Sequence, residues 1–168
     1  MVEDNKHNFL EQYKKGKIGE EIYKRLLNDK GLIIIESAEG YQPLYDIKYY
    51  NNNGKVIRTE VKTDYSITDN VAIEYKSRGR TSGIESTKAD YFAVVNIYDN
   101  LIYIASTKSL RSYIKEYRSS ISIRQNKQNN SDTWIYLIPK HEFHEVFLVI
   151  PYSPYGAGKE YLDCESAA

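Results

Sequence analysis

Tyr45-Asp46-Ile47-Lys48-Tyr49-Tyr50, Asn51-Asn52-Asn53-Gly54, Lys55-Val56-Ile57-Arg58-Thr59-Glu60-Val61-Lys62 holds two alternating segments around an Asn-Gly step. That pattern predicts a β-hairpin. A loop of Asn52-Asn53-Gly54 with Gly54 left-handed would pair Asn51 with Lys55 and set Asp46 directly opposite Glu60. Side chains alternate faces along a strand, so Tyr45, Ile47 and Tyr49 would share one face with Ile57, Thr59 and Val61. Asp46, Lys48 and Tyr50 would share the other with Arg58, Glu60 and Lys62. Opposed side chains stand roughly 5 Å apart and like charges there repel, so two facing carboxylates want a cation between them. On its own the alternation fits an ordinary half-solvated hairpin better, since that is the default for half-buried strands. The rest of the chain decides between the two.

The chain has 168 residues, enough for one domain with a real core, and we read one domain over 1–150 followed by a poorly ordered tail over 151–168. Lys plus Arg and Asp plus Glu each total 23, so a general polyanion-binding coat is excluded while a local basic groove is not. The single cysteine, Cys164, rules out an internal disulfide and a cysteine-based zinc site. The segment Met1-Val2-Glu3-Asp4-Asn5-Lys6 has neither an apolar core nor a cleavage signal, and no stretch approaches the about 18 apolar residues that span a membrane. The expectation is a cytoplasmic protein without a membrane partner. Abundant Asn, Lys, Ile and Tyr fit an AT-rich genome, as in many bacteria and phages.

Outward from the hairpin, Phe9, Leu10, Tyr13, Ile18, Ile22, Leu26 and Leu27 recur at helical spacing and predict a helix over 5–30, with Gly31 as its C-cap. Gly16 and Gly19 mark a break or a close approach in that helix. Leu32-Ile33-Ile34-Ile35 reads as a buried strand, and further strands are expected at 71–75, 91–97, 101–105, 134–138 and 147–150. Ser82-Gly83-Ile84-Glu85 has the form of a capping box and predicts a short helix to about Lys88. A second helix should begin at Ser106 or Thr107 with Leu110, Tyr113, Ile114 and Tyr117 on one face, and a short helical turn is expected at 140–145. The Ser/Asn/Gln-rich stretch 119–132 reads as a loop.

The ordered set of Gly16-Lys17-Ile18-Gly19-Glu20-Glu21, then Asp46, then Glu60-Val61-Lys62 resembles the PD-(D/E)xK nuclease superfamily. The helical segment is similar to the first-helix motif of archaeal Holliday-junction resolvases. Ile73-Glu74-Tyr75, Ser82-Gly83-Ile84 and Thr87-Lys88-Ala89-Asp90-Tyr91 are similar to phage-type nucleases of the superfamily. Tyr45 stands where the family's proline would be, and the likeness runs over about residues 10–105. The resemblance implies an α/β, restriction-endonuclease-like core: a mixed central β-sheet flanked by helices. It further implies a Mg²⁺- or Mn²⁺-dependent deoxyribonuclease with Asp46, Glu60, Lys62 and Glu20 as its catalytic residues. Asp46, Glu60, the Val61 carbonyl and Glu20 would be the metal ligands, Glu20 being chosen over Glu21. This fits the preference of hard divalent cations for carboxylate and carbonyl oxygens. A charged Lys62 cannot ligate metal, so its role is to position the attacking water or stabilise the transition state. Glu74, in a second Glu-x-Lys with Lys76, is an outer candidate.

Arg78, Arg80, Ser82 and Lys88 lie close in sequence to the expected short helix, and Arg and helix N-termini both suit phosphate. Residues 107–130 carry Lys108, Arg111, Lys115, Arg118, Arg124 and Lys127 against one acid, Glu116, a second candidate nucleic-acid track. Each is equally read as solvated basic surface. The expected partner is DNA, branched or otherwise structured DNA included, with RNA left open; cutting a junction would require a homodimer with two sites. His141-Glu142-Phe143-His144 has the wrong spacing for a His-Glu-x-x-His metal motif, and Gly156-Ala157-Gly158-Lys159 lacks the spacing and the following hydroxyl of a phosphate loop. Two rival readings remain: a catalytically silent nucleic-acid-binding module of the same fold, which would bind DNA without cutting it, and a protein-interaction module, which would bind neither metal nor DNA.

Overall fold

The computed structural model describes residues 2–38, 44–126 and 132–154, with side chains from Tyr13 onward. Lys127, Cys164 and the Gly156-Ala157-Gly158-Lys159 segment therefore lie outside the described residues. The chain runs α1 (Val2–Asp29), β1 (Ile33–Ser37), β2 (Ile47–Tyr50), β3 (Val56–Asp64), β4 (Asn70–Ser77) and β5 (Arg80–Thr81). A single 3-10 turn (Gly83–Glu85) follows, then β6 (Tyr91–Asn96), β7 (Leu101–Ser106), α2 (Thr107–Glu116), β8 (Ser122–Asn126), β9 (Thr133–Pro139), α3 (Lys140–Val146) and β10 (Leu148–Pro151).

The central sheet has the order β1-β2-β3-β6-β7-β10 and is mixed, because β3 and β6 run parallel while its other pairs are antiparallel. A parallel pair needs a crossover. Here the crossover carries β4, β5 and the 3-10 turn out of the central sheet and into a second, antiparallel sheet of order β5-β4-β9-β8. The fold is thus the expected mixed central sheet flanked by helices, with this additional four-stranded layer.

Two apolar clusters hold the layers together. On one face Ile57 and Val61 of β3 and Ala93 and Val95 of β6 meet Tyr23 and Leu27 of α1. On the other, Phe92 and Val94 of β6 meet Val71 and Ile73 of β4, Ile138 of β9, Leu110 of α2 and Phe143 of α3. Each such side chain contributes about 1.5–3 kcal/mol when fully buried. Gly19 lets α1 seat on β3: a Cβ there would stand 2.2 Å from Thr63 Oγ1, whose hydroxyl donates to the Gly16 carbonyl at 2.9 Å. Gly19 therefore marks a close approach, while a Cβ at Gly16 would meet nothing within 4 Å, and the helix is unbroken. Gly31 (φ +71°) ends it, with the Leu32 N–H reaching the Leu27 carbonyl at 2.9 Å.

The hairpin has the expected register. Ile47 pairs with Thr59 and Tyr49 with Ile57, Gly54 has φ +71°, and the Asn51 N–H donates to the Lys55 carbonyl at 2.9 Å. The Asn51 side chain braces the loop by accepting the Asn53 and Lys55 N–H groups.

Four expectations are corrected. Ile33–Ser37 is an edge strand rather than a buried one, and Ile33 is 67% exposed, because only β2 covers it. The stretch read as a loop contains β8, polar in sequence yet held by its ladder with β9. Pro151 belongs to β10, and the Tyr152 N–H donates to the Asn100 carbonyl, so the ordered chain passes the boundary expected at 150. Ser82 does not cap a helix, since only one 3-10 turn follows it and its side chain makes no cap bond.

Candidate active site

β3 carries the site because it is a long, unbroken strand with different chemistry on its two faces. Ile57, Thr59 and Val61 are buried toward α1, with Tyr23 Oη 3.4 Å from Thr59 Oγ1. In the parallel ladder Glu60 stands beside Phe92 and Lys62 beside Val94, so both point to the opposite face. Glu60 is 7% exposed, and its Oε1 accepts from the Lys62 ammonium at 2.7 Å. Its Oε2 accepts from the Thr87 hydroxyl at 3.3 Å.

Asp46 is not on the strand. The ladder stops at Ile47, the Asp46 N–H turns to the Thr59 carbonyl at 3.0 Å, and its Oδ2 accepts the Val61 N–H at 2.7 Å. The side chain thus does what the next residue of β2 would have done. Main-chain groups alternate sides along a strand, so the Val61 carbonyl faces the same side as its N–H, past the end of β2. Burial, and then the Glu60 charge, push the Asp46 carboxyl up to about 6, against the lowering pull of Lys62 and the Val61 N–H. For Lys62, burial works to lower the ammonium pKa and is outweighed by Glu60 and Asp46, with Glu74 adding to them, so the net shift is upward. Lys62 is accordingly a fixed positive charge and not a proton acceptor at neutral pH.

Glu20 reaches the same neighbourhood from α1. It is 9% exposed and accepts from Lys17 at 2.7 Å, while Glu21 is exposed and paired with Lys24 at 2.7 Å. Lys17 also donates to the Ala38 carbonyl at 3.0 Å, and its ammonium is raised because Glu20, with a smaller part from Asp46, outweighs burial. Sequence reasoning missed Lys17, although its spacing of three from Glu20 is the i,i+3 signal of a helical ion pair. It missed Thr87 too, which is buried and also donates to the Leu44 carbonyl at 3.1 Å.

The donor set fits a hard divalent cation. Asp46, Glu60 and Glu20 bring three carboxylates against the two ammonium groups of Lys17 and Lys62, and the upward shift of Asp46 comes first from burial and then from the Glu60 charge. Among the described residues no three of His, Cys, Asp and Glu form a ready-made metal cage. The groups that could hold such an ion are Asp46, Glu60 and the Val61 carbonyl, with Glu20 behind them.

The expected nucleic-acid residues divide. Arg78, Arg80, Lys88 and Lys115 are exposed. Ser82 is not available, because its hydroxyl donates to Glu74 Oε1. Arg111 is not available either: its Nε donates to the Ile84 carbonyl at 2.8 Å and its Nη2 to the Thr87 carbonyl at 2.9 Å, tying α2 to the loop that orients Glu60. His141-Glu142-Phe143-His144 lies in α3, where Phe143 is core and Glu142 accepts from Tyr113 at 2.7 Å.

No family model matches the chain, and no curated protein matches it. Among solved structures the fold is similar to that of a bacterial homing endonuclease, I-Ssp6803I, with a TM-score of 0.50 over 60% of this chain and 72% of that one at 17% identity. At that identity the likeness is one of fold.

Proposed function

We propose that this chain is a nuclease of the PD-(D/E)xK type that hydrolyses DNA phosphodiester bonds with Mg²⁺ or Mn²⁺. The observation that carries the reading is the convergence of Asp46, Glu60 and Lys62 at the open end of β2, two repelling carboxylates beside a permanent ammonium. Asp46, Glu60 and the Val61 carbonyl would hold the ion, with Glu20 supporting from α1. When bound, a divalent cation supplies Lewis-acid stabilisation of phosphoryl charge and a more acidic water. The chain's own contribution is positional. Thr87 and Lys62 hold the two Glu60 oxygens, the Val61 N–H holds Asp46, and Lys17 holds Glu20. The Lys62 ammonium, held beside Glu60, would be placed to meet the developing phosphoryl charge. The similarity in fold to a homing endonuclease agrees with this reading without specifying the substrate.

The test is cleavage of single-stranded, duplex and four-way-junction DNA with Mg²⁺ or Mn²⁺, comparing wild type with Asp46→Asn and Lys62→Ala. Metal-dependent cutting lost in both variants supports the nuclease. A well-folded wild type that binds DNA and cuts none of these substrates turns the reading into a silent binding module. One that binds neither metal nor DNA removes nucleic acid altogether.

A further inference from the structure

The turn between β4 and β5 is built in a way that solubility does not require. Ser77 pairs with Arg80, so Arg78 and Gly79 are the two central residues, and both are left-handed, with φ +50° and +75°. That is a type I′ turn, whose first position favours Asn, Asp or Gly. An arginine there works against the cost of a left-handed backbone, about 1–2 kcal/mol. The tip is also braced from the side. The Arg78 N–H donates to the Asp132 carbonyl at 2.9 Å, where β9 begins, and Ser77 pairs with Thr133. The Asp132 carboxylate is engaged by Gln125 at 2.5 Å. Among the described residues no acid pairs with either arginine, and both side chains are exposed. The result is a turn at one corner of the four-stranded sheet, held on its β9 side, that presents two guanidinium groups.

β4 also passes near the catalytic constellation. Glu74, four residues before the tip, accepts from Ser82 and contributes to the field at Lys62. Strand rise carries the tip on the order of 10–13 Å beyond Glu74. At 3.4 Å per nucleotide that is about three to four base pairs. Arginine is the side chain that grips guanine O6 and N7 in the major groove with both arms of its fork.

From this geometry we infer that the Ser77-Arg78-Gly79-Arg80 turn is a base-reading element: the Arg78 and Arg80 side chains enter the major groove of duplex DNA and recognise guanine about three to four base pairs from the bond that is cut. The inference rests on the nuclease reading for its substrate and goes beyond it, because a pair of arginines that only neutralised phosphate would need neither a strained backbone nor a braced tip.

The test is selection of bound duplexes from a random library with wild type, Arg78→Ala/Arg80→Ala and Arg78→Lys/Arg80→Lys, followed by titration of selected against random duplex at several salt concentrations. Wild type should enrich a short G-containing block. In both variants the ratio of selected to random affinity should fall by about 5- to 100-fold. The alanine variant alone should also lose about two units of salt slope, since the lysines keep the charge and lose only the fork. Mapping cuts on the selected duplex should place the block about three to four base pairs from the break. A block that survives in the lysine variant, or a wild type that binds duplex without preference, overturns the inference and leaves the nuclease reading standing. A wild type that binds no duplex also overturns it, and the cleavage assay on single strands and junctions then decides separately whether the nuclease reading falls as well.

Discussion

The chain contains Glu-x-Lys twice, as Glu60-Val61-Lys62 on β3 and Glu74-Tyr75-Lys76 on β4, and the two strands dispose their charges differently. On β3 the ladder with β6 is regular, so glutamate and lysine share a face and pair at 2.7 Å. On β4 the ladder with β9 breaks: Glu74 is opposite Ile135 but Lys76 is opposite Trp134, with Tyr75 the extra residue. Neighbouring residues of β9 face opposite ways, so the bulge sends Glu74 and Lys76 to opposite faces of the sheet. β3 also has two helpers that β4 lacks, an aspartate at the end of the neighbouring strand and a helix seated closely enough to bring a third carboxylate. The motif puts its two charges on one face only where the strand under it is unbroken.

The largest effect should come from substituting the two motifs in parallel. Asp46→Asn, Glu60→Gln and Lys62→Ala should each slow single-turnover cleavage by at least about 100-fold, the scale of a lost transition-state contact. Lys76→Ala should stay within about threefold of wild type, since it touches no reacting group. Equal losses at Lys62 and Lys76 would break the comparison.

Stability should follow the same division. Lys62→Ala leaves Glu60 and Asp46 without their cation and should cost about 2 kcal/mol by chemical denaturation, less than for a fully buried pair because Lys62 is 36% exposed. Lys76→Ala should remain within about 0.5 kcal/mol.

A pH series sharpens the electrostatic part. The Asp46 carboxyl is raised from 3.8 to about 6, so the folded protein holds that proton more tightly than the unfolded chain does. Its contribution favours the fold below pH 4 and is lost as pH rises to about 6, on the order of 2 kcal/mol across that window. Metal-free wild type should therefore lose stability relative to Asp46→Asn between pH 4 and 6, and millimolar Mg²⁺ or Mn²⁺ should restore it above pH 6. Denaturation midpoints with and without chelator measure both. Identical pH profiles for wild type and Asp46→Asn would exclude the carboxylate repulsion.

The smallest effects concern the helix that only β3 has. Gly19→Ala places a Cβ 2.2 Å from Thr63 Oγ1 and should cost about 1–2 kcal/mol while also slowing cleavage, because α1 must lift away and take Glu20 with it. Gly16→Ala meets nothing within 4 Å and should stabilise by about 0.5–1 kcal/mol in thermal melts. Opposite signs at two glycines three residues apart would show that the seating of α1 on β3 is what matters.

Much of this was legible from local pattern. The Asn-Gly step with its alternating flanks predicts the Ile47–Thr59 register, and Gly31 and Ser106 end and begin helices as their types require. The failures are instructive for the same reason. Ser82-Gly83-Ile84-Glu85 has the form of a capping box, but Gly83 (φ +48°) lies so close to β4 that a Cβ would meet the Glu74 carbonyl at 2.2 Å, and Ser82 is taken by the Glu74 side chain. A long-range contact overrides the local preference. Arg111 looks like its basic neighbours in sequence; its different role exists only because the Ile84 and Thr87 carbonyls arrive beneath it. β8 reads as a loop because nothing in Ser122–Asn126 announces the partner that makes it a strand.

Residue spacing was enough to propose Asp46, Glu60, Lys62 and Glu20 as one chemical group, because periods of 2 and 3.6 fix which side chains share a face over short distances. Spacing could not say that β2 would stop one residue short, freeing Asp46 to turn its carboxylate onto the Val61 N–H, or that a bulge would disable the second Glu-x-Lys. Those outcomes depend on ladders between strands far apart in the chain. Where a ladder ends or slips is set by the packing of both partners and not by the residues of either one.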